Sequence, residues 1–129
     1  MRFEVKIADF GFSKKLKSKK EINKTICGTP LYMAPQVVQK NTYNYKADVW
    51  SIGVILFELL NGITPFHSKD RAEFEGKVDN AKFNLKDGVK DNLTLECILF
   101  LTQCLQHNED DRKSISELIT HPYIVKKFR

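Results

Sequence analysis

Residues 46–60 have the sequence Lys-Ala-Asp-Val-Trp-Ser-Ile-Gly-Val-Ile-Leu-Phe-Glu-Leu-Leu, which predicts a helix at the centre of the molecule. Apolar side chains cover nearly the whole circumference of this helix, a pattern typical of a helix that is buried on several sides. Asp48 falls in the first turn, where free backbone N–H groups favour a carboxylate. Asn61 and Gly62 end the helix, and Pro65 prevents its continuation. The rest of the chain is therefore expected to pack around this helix.

Three more helices are predicted after the central one. Residues 70–82 are mostly polar, so their helix is expected to be exposed. Residues 114–120 open with a serine followed three positions later by a glutamate, the spacing of a capping box. Between these two segments, residues 93–106 are predicted to form another helix. Its packing residues are expected to be its two cysteines and Leu95, Ile98, Leu99, Leu101 and Leu105. The chain after residue 40 is thus predicted to be entirely helical.

The part of the chain before residue 40 has a different pattern. Residues 3–8 alternate apolar and polar side chains and predict one short N-terminal strand. A single strand is not stable in water, so its partner strand is expected to come from outside the chain. Residues 9–36 then form a long loop without clear periodicity, and such long loops in compact domains are usually functional. The predicted fold class is therefore mainly α, with one short strand and one long functional segment.

The charge distribution and the cysteines indicate which partners and which cellular compartment to expect. The net charge is +5, and much of the excess comes from six lysines within residues 14–24, against the single acid Glu21. No aromatic side chains lie among these lysines, which favours a solvated loop over a site for nucleic acid or an acidic membrane surface. The three cysteines lack metal-binding spacing and indicate buried thiols in a reducing compartment.

Targeting and membrane segments are not evident in the sequence. The N-terminus lacks the apolar stretch of a signal peptide. The longest nearly apolar run, residues 52–60, is too short to span a bilayer and contains Glu58. We therefore expect a cytoplasmic or nuclear protein without a membrane or nucleic-acid partner.

A short motif lies at the start of the long loop, consisting of Asp9, Phe10 and Gly11. A carboxylate at the end of a strand can ligate Mg²⁺, a hard cation that prefers oxygen ligands and bridges nucleotide phosphates. Gly11 lets the backbone turn where a side chain would clash. Alone the tripeptide is a weak indication, but more motifs follow it in order. They are Gly-Thr-Pro-Leu-Tyr-Met-Ala-Pro from Gly28, Asp-Val-Trp-Ser-Ile-Gly from Asp48, Gly-Ile-Thr-Pro-Phe from Gly62, the single Arg112, and His-Pro-Tyr from His121.

The order and spacing of these motifs resemble the protein kinase family from its Asp-Phe-Gly motif to the end of the domain. The resemblance covers nearly the whole chain, and it implies that residues 1–129 form a partial protein kinase domain, the C-terminal lobe, of the serine/threonine branch. Residues 9–36 would be the activation segment, and the N-terminal lobe and catalytic loop would be absent. Residues 9–13 and 27–30 are most similar to the calmodulin-dependent and autophagy-initiating groups.

The resemblance also implies roles for individual residues. Asp9 would bind the metal ion, and Phe10 and Gly11 would complete the motif beside the nucleotide. Thr25 stands where such kinases are commonly phosphorylated by an upstream kinase, and a phosphate there would lie among the lysines and order the segment. Thr29 would support catalysis beside the catalytic aspartate. The platform for the acceptor hydroxyl would consist of Gly28, Thr29, Pro30, Leu31 and Tyr32.

Four more residues would support the site structurally, namely Gln36, Asp48, Trp50 and Arg112. Asp48 would accept backbone N–H bonds from the catalytic loop, and Trp50 is expected in the core. Gln36 departs from the family, which has a glutamate there paired with an arginine that matches Arg112. A glutamine oxygen can still accept a hydrogen bond from the guanidinium, and the acids at residues 109–111 are candidates for the missing charge.

The reaction that the resemblance implies needs residues on both sides of the Asp-Phe-Gly motif. The family's glycine-rich phosphate loop, strand lysine and catalytic aspartate all precede that motif, and only eight residues precede it here. We therefore expect a longer parent that transfers the γ-phosphate of ATP, with Mg²⁺, to serine or threonine of protein substrates. The chain as given is then an inactive fragment that binds neither cofactor tightly. The alternative is a non-catalytic, pseudokinase-like binding module that acts through residues 28–36 and 70–82.

The packing of the central helix favours the fragment over the module. In kinases this helix is covered partly by helices that would precede residue 1. One face of residues 46–60 is therefore expected to stay uncovered, and an uncovered apolar face leads to aggregation or to binding of a partner.

Overall fold

The computed structural model describes residues 4–15, 30–40 and 44–127, and within these ranges the chain is mainly helical. Six α-helices occur there, namely α1 (Pro35–Lys40), α2 (Lys46–Asn61), α3 (Arg71–Asn80), α4 (Leu95–Cys104), α5 (Ile115–Leu118) and α6 (Pro122–Lys127). Single turns of 3₁₀ helix are found at Phe10–Phe12, Pro30–Tyr32 and Lys90–Asn92. The mainly α class predicted from the sequence is confirmed. No helix in the described part of the chain is both long and apolar enough to cross a membrane.

The strand predicted over residues 3–8 is not formed in its described part, residues 4–8. Val5 and Ile7 are 93% and 85% exposed, so neither side chain packs against the helical core. A strand needs a neighbour to pair its backbone N–H and C=O groups, and no strand is present among the described residues. The predicted strand is therefore wrong for this structure, because the alternating pattern alone supplies no partner.

The central helix is α2, whose bounds agree with the prediction over residues 46–60. It ends at Gly62, which has φ 79° and donates its N–H to the carbonyl of Glu58 at 2.7 Å. Glycine adopts this left-handed conformation without the strain that a Cβ atom would cause. Trp50 and Val54 in the middle of α2 are fully buried. The local sequence pattern therefore predicts both the extent and the burial of α2.

Two clusters of buried side chains surround α2. The first joins it to α1, α3 and the segments beside them and contains Ala34, Val37, Ala47, Trp50, Val54, Phe66, Phe74, Val78 and Leu105. The second joins it to α4 and α5 and contains Val49, Phe100, Cys104 and Leu118. Gly53 allows α4 to approach closely, because a Cβ atom at this position would lie 2.7 Å from the Cβ atom of Cys104. Direct packing of α2 on α4 thus forms the centre of the molecule.

The helix predicted over residues 70–82 is confirmed as α3, but it is not wholly exposed. Asp70 caps its N-terminus by accepting a hydrogen bond from the backbone N–H of Glu73 at 2.9 Å. Phe74 and Val78 are buried against the first cluster. These two residues lie four positions apart and therefore share one face, which attaches an otherwise polar helix to the core.

The helix predicted over residues 93–106 is confirmed as α4, with a different packing face. Leu95 and Leu99 are 67% and 43% exposed, so the expectation that they pack is wrong. The buried side chains of α4 are Cys97, Phe100, Leu101 and Cys104. Successive members of this set are three, one and three residues apart, so all four lie on one face of the helix. This face packs toward α2.

A capping box opens α5, as its sequence predicts. The Ser114 hydroxyl accepts from the N–H of Glu117 at 3.3 Å, and the Glu117 carboxylate accepts from the N–H of Ser114 at 2.8 Å. Lys113 donates to the same carboxylate at 2.8 Å. These hydrogen bonds stabilise the ionised carboxylate and lower the pKa of Glu117 from 4.5 to about 2, with that from Lys113 as the largest cause.

Replacing Ser114 with alanine is expected to lower the free energy of unfolding by about 1 kcal/mol at neutral pH. Because the pKa of Glu117 is lowered in the folded state, its contribution is complete above about pH 4.5 and is lost as the pH falls toward 2. The effect of the substitution should shrink over the same pH range. Trp50 is the only tryptophan of the chain, so its fluorescence in urea can follow unfolding at sub-micromolar concentration.

Ser116→Ala is the matched control, because Ser116 lies exposed in the same helix. Its effect should be within about 0.5 kcal/mol and independent of pH. Equal effects of the two substitutions would contradict the assigned role of the capping box.

One face of α2 is left uncovered by the described residues. Ile52, Ile55 and Leu59 on this face are exposed. Together with residues of α4 and α6 they line an apolar groove of about 430 Å³. This arrangement agrees with the expectation of an uncovered face on the central helix.

Candidate functional site

Asp9 lies at the start of the predicted activation segment, residues 9–36, and has an uncommon backbone conformation. Its φ and ψ are 61° and 71°, in the left-handed region, and the 3₁₀ turn Phe10–Phe12 follows it directly. Such a conformation costs a residue with a Cβ atom about 1–3 kcal/mol and is found preferentially at functional sites. The Asp9 side chain is exposed and makes no hydrogen bond or ion pair with the other described residues. Its carboxylate oxygens are therefore available to an external ligand.

The donor set around Asp9 fits a shared metal site better than a closed one. No cluster of three or more His, Cys, Asp or Glu side chains that could hold a metal occurs in the described ranges. Mg²⁺ is usually bound through one or two carboxylates, with water and substrate phosphates completing its coordination. Asp9 can provide one such carboxylate.

The two residues after Asp9, Phe10 and Gly11, are exposed as well. A Cβ atom on Gly11 would lie 3.4 Å from Oδ1 of Asp9, an ordinary van der Waals distance, so Gly11 lies next to this oxygen without covering it. Phe10 is 65% exposed and does not pack into the core. The hydroxyl of Ser13 donates to the carbonyl of Phe10 at 2.7 Å and closes the turn.

Part of the predicted platform lies outside the described residues. Thr25, Gly28 and Thr29 belong to this part, so their assigned roles stay predictions. The backbone of Pro30 begins the 3₁₀ turn Pro30–Tyr32. Leu31 and Tyr32 are half-buried beside the first core cluster.

Tyr32 attaches this turn to α2 through both its side chain and its backbone. The Tyr32 hydroxyl donates to Oε2 of Glu58 at 2.7 Å. The Ser51 hydroxyl donates to the carbonyl oxygen of Tyr32 at 2.9 Å. The pKa of Tyr32 is raised, chiefly because loss of its proton would remove the hydrogen bond to the Glu58 carboxylate. The turn beside the expected acceptor site is therefore fixed to the central helix at two points.

Arg112 forms a second attachment, at the end of the predicted activation segment. It is 1% exposed, and its Nη2 donates to Oε1 of Gln36 at 3.3 Å. Its guanidinium also lies over the Trp50 ring, with 5.1 Å from Cζ to the ring centroid. Burial lowers the pKa of Arg112 to about 10, and the nearby Glu109 carboxylate opposes this shift. The structure thus places Arg112 against Gln36, its expected partner, and also against Trp50, which the sequence predicts only as a core residue.

Asp48 has an exposed side chain in the first turn of α2. Crowding around its carboxyl group removes part of the surrounding water, which raises the pKa of Asp48. It makes no side-chain hydrogen bond with residues in the described ranges, and its expected partner, the catalytic loop, is not among them. The role of Asp48 in supporting that loop stays a prediction.

Sequence reasoning did not find two residues that hold the platform, Ser51 and Glu58. In the sequence, Glu58 stands out only as a charge that argues against a membrane span. A carboxylate inside a nearly apolar helix was nevertheless an indication of a specific partner, because buried or half-buried charges are usually paired. The partner itself lies 26 residues away along the chain, at Tyr32.

Comparison with known proteins gives the same family along almost the whole chain. The profile of the protein kinase domain matches residues 1–124. Serine/threonine-protein kinase ATG1c of Arabidopsis thaliana is 36% identical over 122 residues, which cover 94% of this chain and 16% of the plant protein. Serine/threonine-protein kinase ULK3 of Xenopus laevis is 38% identical over 123 residues, covering 95% of this chain and 26% of that protein.

A fungal relative shows similar coverage. Serine/threonine-protein kinase ATG1 of Pyricularia oryzae is 35% identical over 121 residues, which cover 94% of this chain and 12% of the fungal protein. The chain therefore spans about a quarter or less of the length of these three relatives. Of the two groups suggested by residues 9–13 and 27–30, the autophagy-initiating group is the one that these relatives support.

Proposed function

Because the chain belongs to the protein kinase family, we propose that it forms the substrate-side half of a serine/threonine kinase domain. The parent protein would transfer the γ-phosphate of ATP to serine or threonine hydroxyls of protein substrates. In this proposal the parent supplies the glycine-rich loop, the phosphate-binding lysine and the catalytic aspartate. The 129-residue chain alone would be inactive and would bind ATP and Mg²⁺ only weakly.

The observation that carries the proposal is the conformation of Asp9. A left-handed aspartate with free carboxylate oxygens, in an exposed turn with Phe10 and Gly11, is suited to a metal ligand. When bound, Mg²⁺ would neutralise the negative charge of the ATP phosphates. The contribution of Asp9 is to hold that charge in a fixed place, which matters because phosphoryl transfer depends mainly on positioning and electrostatic stabilisation.

The activation segment contributes the acceptor side in the same proposal. Attachment of Tyr32 to Ser51 and Glu58 supports a fixed platform over residues 28–32. Thr25 would be phosphorylated by an upstream kinase and would order the lysine-rich part of the segment. Residence in the cytoplasm or nucleus belongs to the proposal as well, and the free buried thiols of Cys97 and Cys104 are compatible with it.

The proposal can be tested in a chimera that supplies the other half of the domain. Residues 1–124 of this chain would replace the matching segment of the Arabidopsis relative, whose own preceding sequence is retained. We expect the chimera to phosphorylate a serine or threonine peptide with Mg²⁺ and ATP. Asp9→Asn should lower kcat by at least about 10²-fold, because one electrostatic contact to the transferring group is lost.

Asp70→Asn is the matched control for this experiment. Asp70 caps α3, and asparagine caps a helix about as well as aspartate, so the same chemical change should leave activity intact. A folded chimera with intact Asp9 and no activity would contradict the proposal and support the binding module that acts through residues 28–36 and 70–82. Tight binding of ATP by the 129-residue chain alone would contradict the proposal that most of the nucleotide site belongs to the part of the domain that the parent supplies.

A further inference from the structure

Arg112 is a buried cation without a direct carboxylate partner among the described residues. It is 1% exposed, and none of the ion pairs in the described ranges includes it. Its hydrogen bonds go to four neutral oxygens, the carbonyls of Lys46, Gln106 and His107 and the side-chain oxygen of Gln36. Burying an uncompensated charge costs several kcal/mol, so a source of negative charge nearby would have a large effect.

The Gln36 side chain connects Arg112 to such a source. Its Oε1 accepts from Nη2 of Arg112 at 3.3 Å, and its Nε2 donates to Oε2 of Glu109 at 3.1 Å. The two partners determine the orientation of the amide, because the opposite orientation would place two donors and two acceptors face to face. A buried amide polarised by a cation at one end and an anion at the other transmits their attraction.

Glu109 is held in place for this contact by Asn44 and Lys46. Nδ2 of Asn44 donates to the same Oε2 atom of Glu109 at 2.9 Å. The ammonium group of Lys46 donates to the backbone carbonyl of Glu109 at 2.8 Å. The neighbouring Asp110 and Asp111 are exposed and make no hydrogen bond with Gln36.

We propose that Glu109 is a positioning residue, which balances the buried charge of Arg112 through the Gln36 amide and so fixes the end of the activation segment on α2. The attraction between Glu109 and Arg112 also opposes the lowering of the Arg112 pKa by burial. A glutamate at position 36 would pair with Arg112 directly, whereas this chain separates the two tasks. Gln36 makes the hydrogen bond, and Glu109 provides the charge. The proposal concerns stability of the anchor and does not depend on catalytic activity.

The test is a double-mutant cycle on the full 129-residue chain, with Trp50 fluorescence in urea as the probe at sub-micromolar concentration. Glu109→Gln removes the charge and keeps the hydrogen-bonding groups, and it should lower the folding equilibrium constant about tenfold, or about 1.4 kcal/mol. In the Gln36→Glu background the same change should be neutral or stabilising. The reason is that the introduced carboxylate pairs with Arg112 directly, while Glu109 repels that carboxylate.

Two neighbouring acids provide matched controls. Like Glu109→Gln, the substitutions Asp110→Asn and Asp111→Asn each remove one negative charge, but from a residue that does not hydrogen-bond to Gln36. Each should therefore alter the folding equilibrium constant by less than about twofold. Equal effects of Glu109→Gln in both backgrounds, or an effect no larger than those of the controls, would overturn the proposal. If the Glu109→Gln chain does not fold, recovery in the double variant would support the proposal, and failure to recover would overturn it.

Discussion

The Trp50→Ala chain should lose about 3–5 kcal/mol of its free energy of unfolding. Trp50 is completely buried in the middle of α2. Its ring stacks on Phe66, with centroids 5.2 Å apart and planes 14° apart, and it carries the guanidinium of Arg112 on its surface. Truncation would therefore leave a large cavity and remove two specific ring contacts. Since domains are usually stable by only about 5–15 kcal/mol, most of the chain should be unfolded at moderate urea concentrations.

Pulse proteolysis at nanomolar concentration measures this loss without a tryptophan probe and limits aggregation. Trp50→Phe is an informative comparison, because phenylalanine can still stack on Phe66. Nε1 of Trp50 is buried without a hydrogen-bond partner in the described ranges, so phenylalanine also removes an unsatisfied donor. We expect about half of the loss seen with alanine. Phe10→Ala, at an exposed aromatic residue, should stay within about 0.5 kcal/mol.

Equal losses for alanine and phenylalanine at position 50 would contradict this account. They would mean that the stacked contact with Phe66 contributes little and that the indole size alone determines stability. A loss below about 1 kcal/mol for Trp50→Ala would show that the first core cluster collapses to fill the space, since the cost of a cavity depends on how well its walls relax.

The elements that the sequence predicts well are those whose determinants are local. The extent of α2 follows from its apolar periodicity and from Gly62, which must adopt a positive φ. The start of α5 follows from Ser114 and Glu117, which lie three residues apart and satisfy each other. In each case the interacting groups are separated by a few residues, so the pattern itself contains both partners.

The errors arise where the deciding partner is distant along the chain. Residues 3–8 alternate as a strand does, but pairing requires a second strand that is absent from the described residues. For α4 the sequence offers more apolar residues than one face can hold. Only the position of α2, and the close approach at Gly53, determines that Phe100 is buried and Leu95 is not.

The candidate site divides in the same way. The roles assigned to Asp9 and Gln36 come from a resemblance to a family, which already contains the three-dimensional information that a single sequence lacks. Contacts specific to this chain were harder to find, since Glu109 lies 73 residues from Gln36 and Glu58 lies 26 residues from Tyr32. Only the acids at 109–111 as a group were identified as candidates, and the structure distinguishes Glu109 by its two amide donors.

Replacing Arg112 with methionine is expected to cost about 3–5 kcal/mol because it breaks a buried hydrogen-bond network, although methionine fills much of the same apolar space. The substitution leaves the carbonyls of Lys46, Gln106 and His107 without their donor. Each buried acceptor that loses its partner costs about 1–3 kcal/mol. Urea unfolding followed by Trp50 fluorescence measures the loss. Arg71→Met provides a control because Arg71 is exposed and, among the described residues, pairs with Glu75 alone. The control should change the free energy of unfolding by less than about 0.5 kcal/mol.

Arg112→Lys tests whether the positive charge at position 112 is sufficient or whether the shape of the guanidinium group is also needed. Lysine keeps the positive charge but lacks the planar fork that reaches several carbonyls at once, so it should restore less than half of the stability lost with methionine. Full rescue by lysine would mean that charge alone holds Gln36 and the end of the predicted activation segment, and that the hydrogen bonds to Gln106 and His107 contribute little. If the chains with methionine and with arginine at position 112 prove equally stable, apolar packing alone holds α2 at Trp50, and the hydrogen bond from Arg112 to Gln36 contributes nothing to the free energy of unfolding.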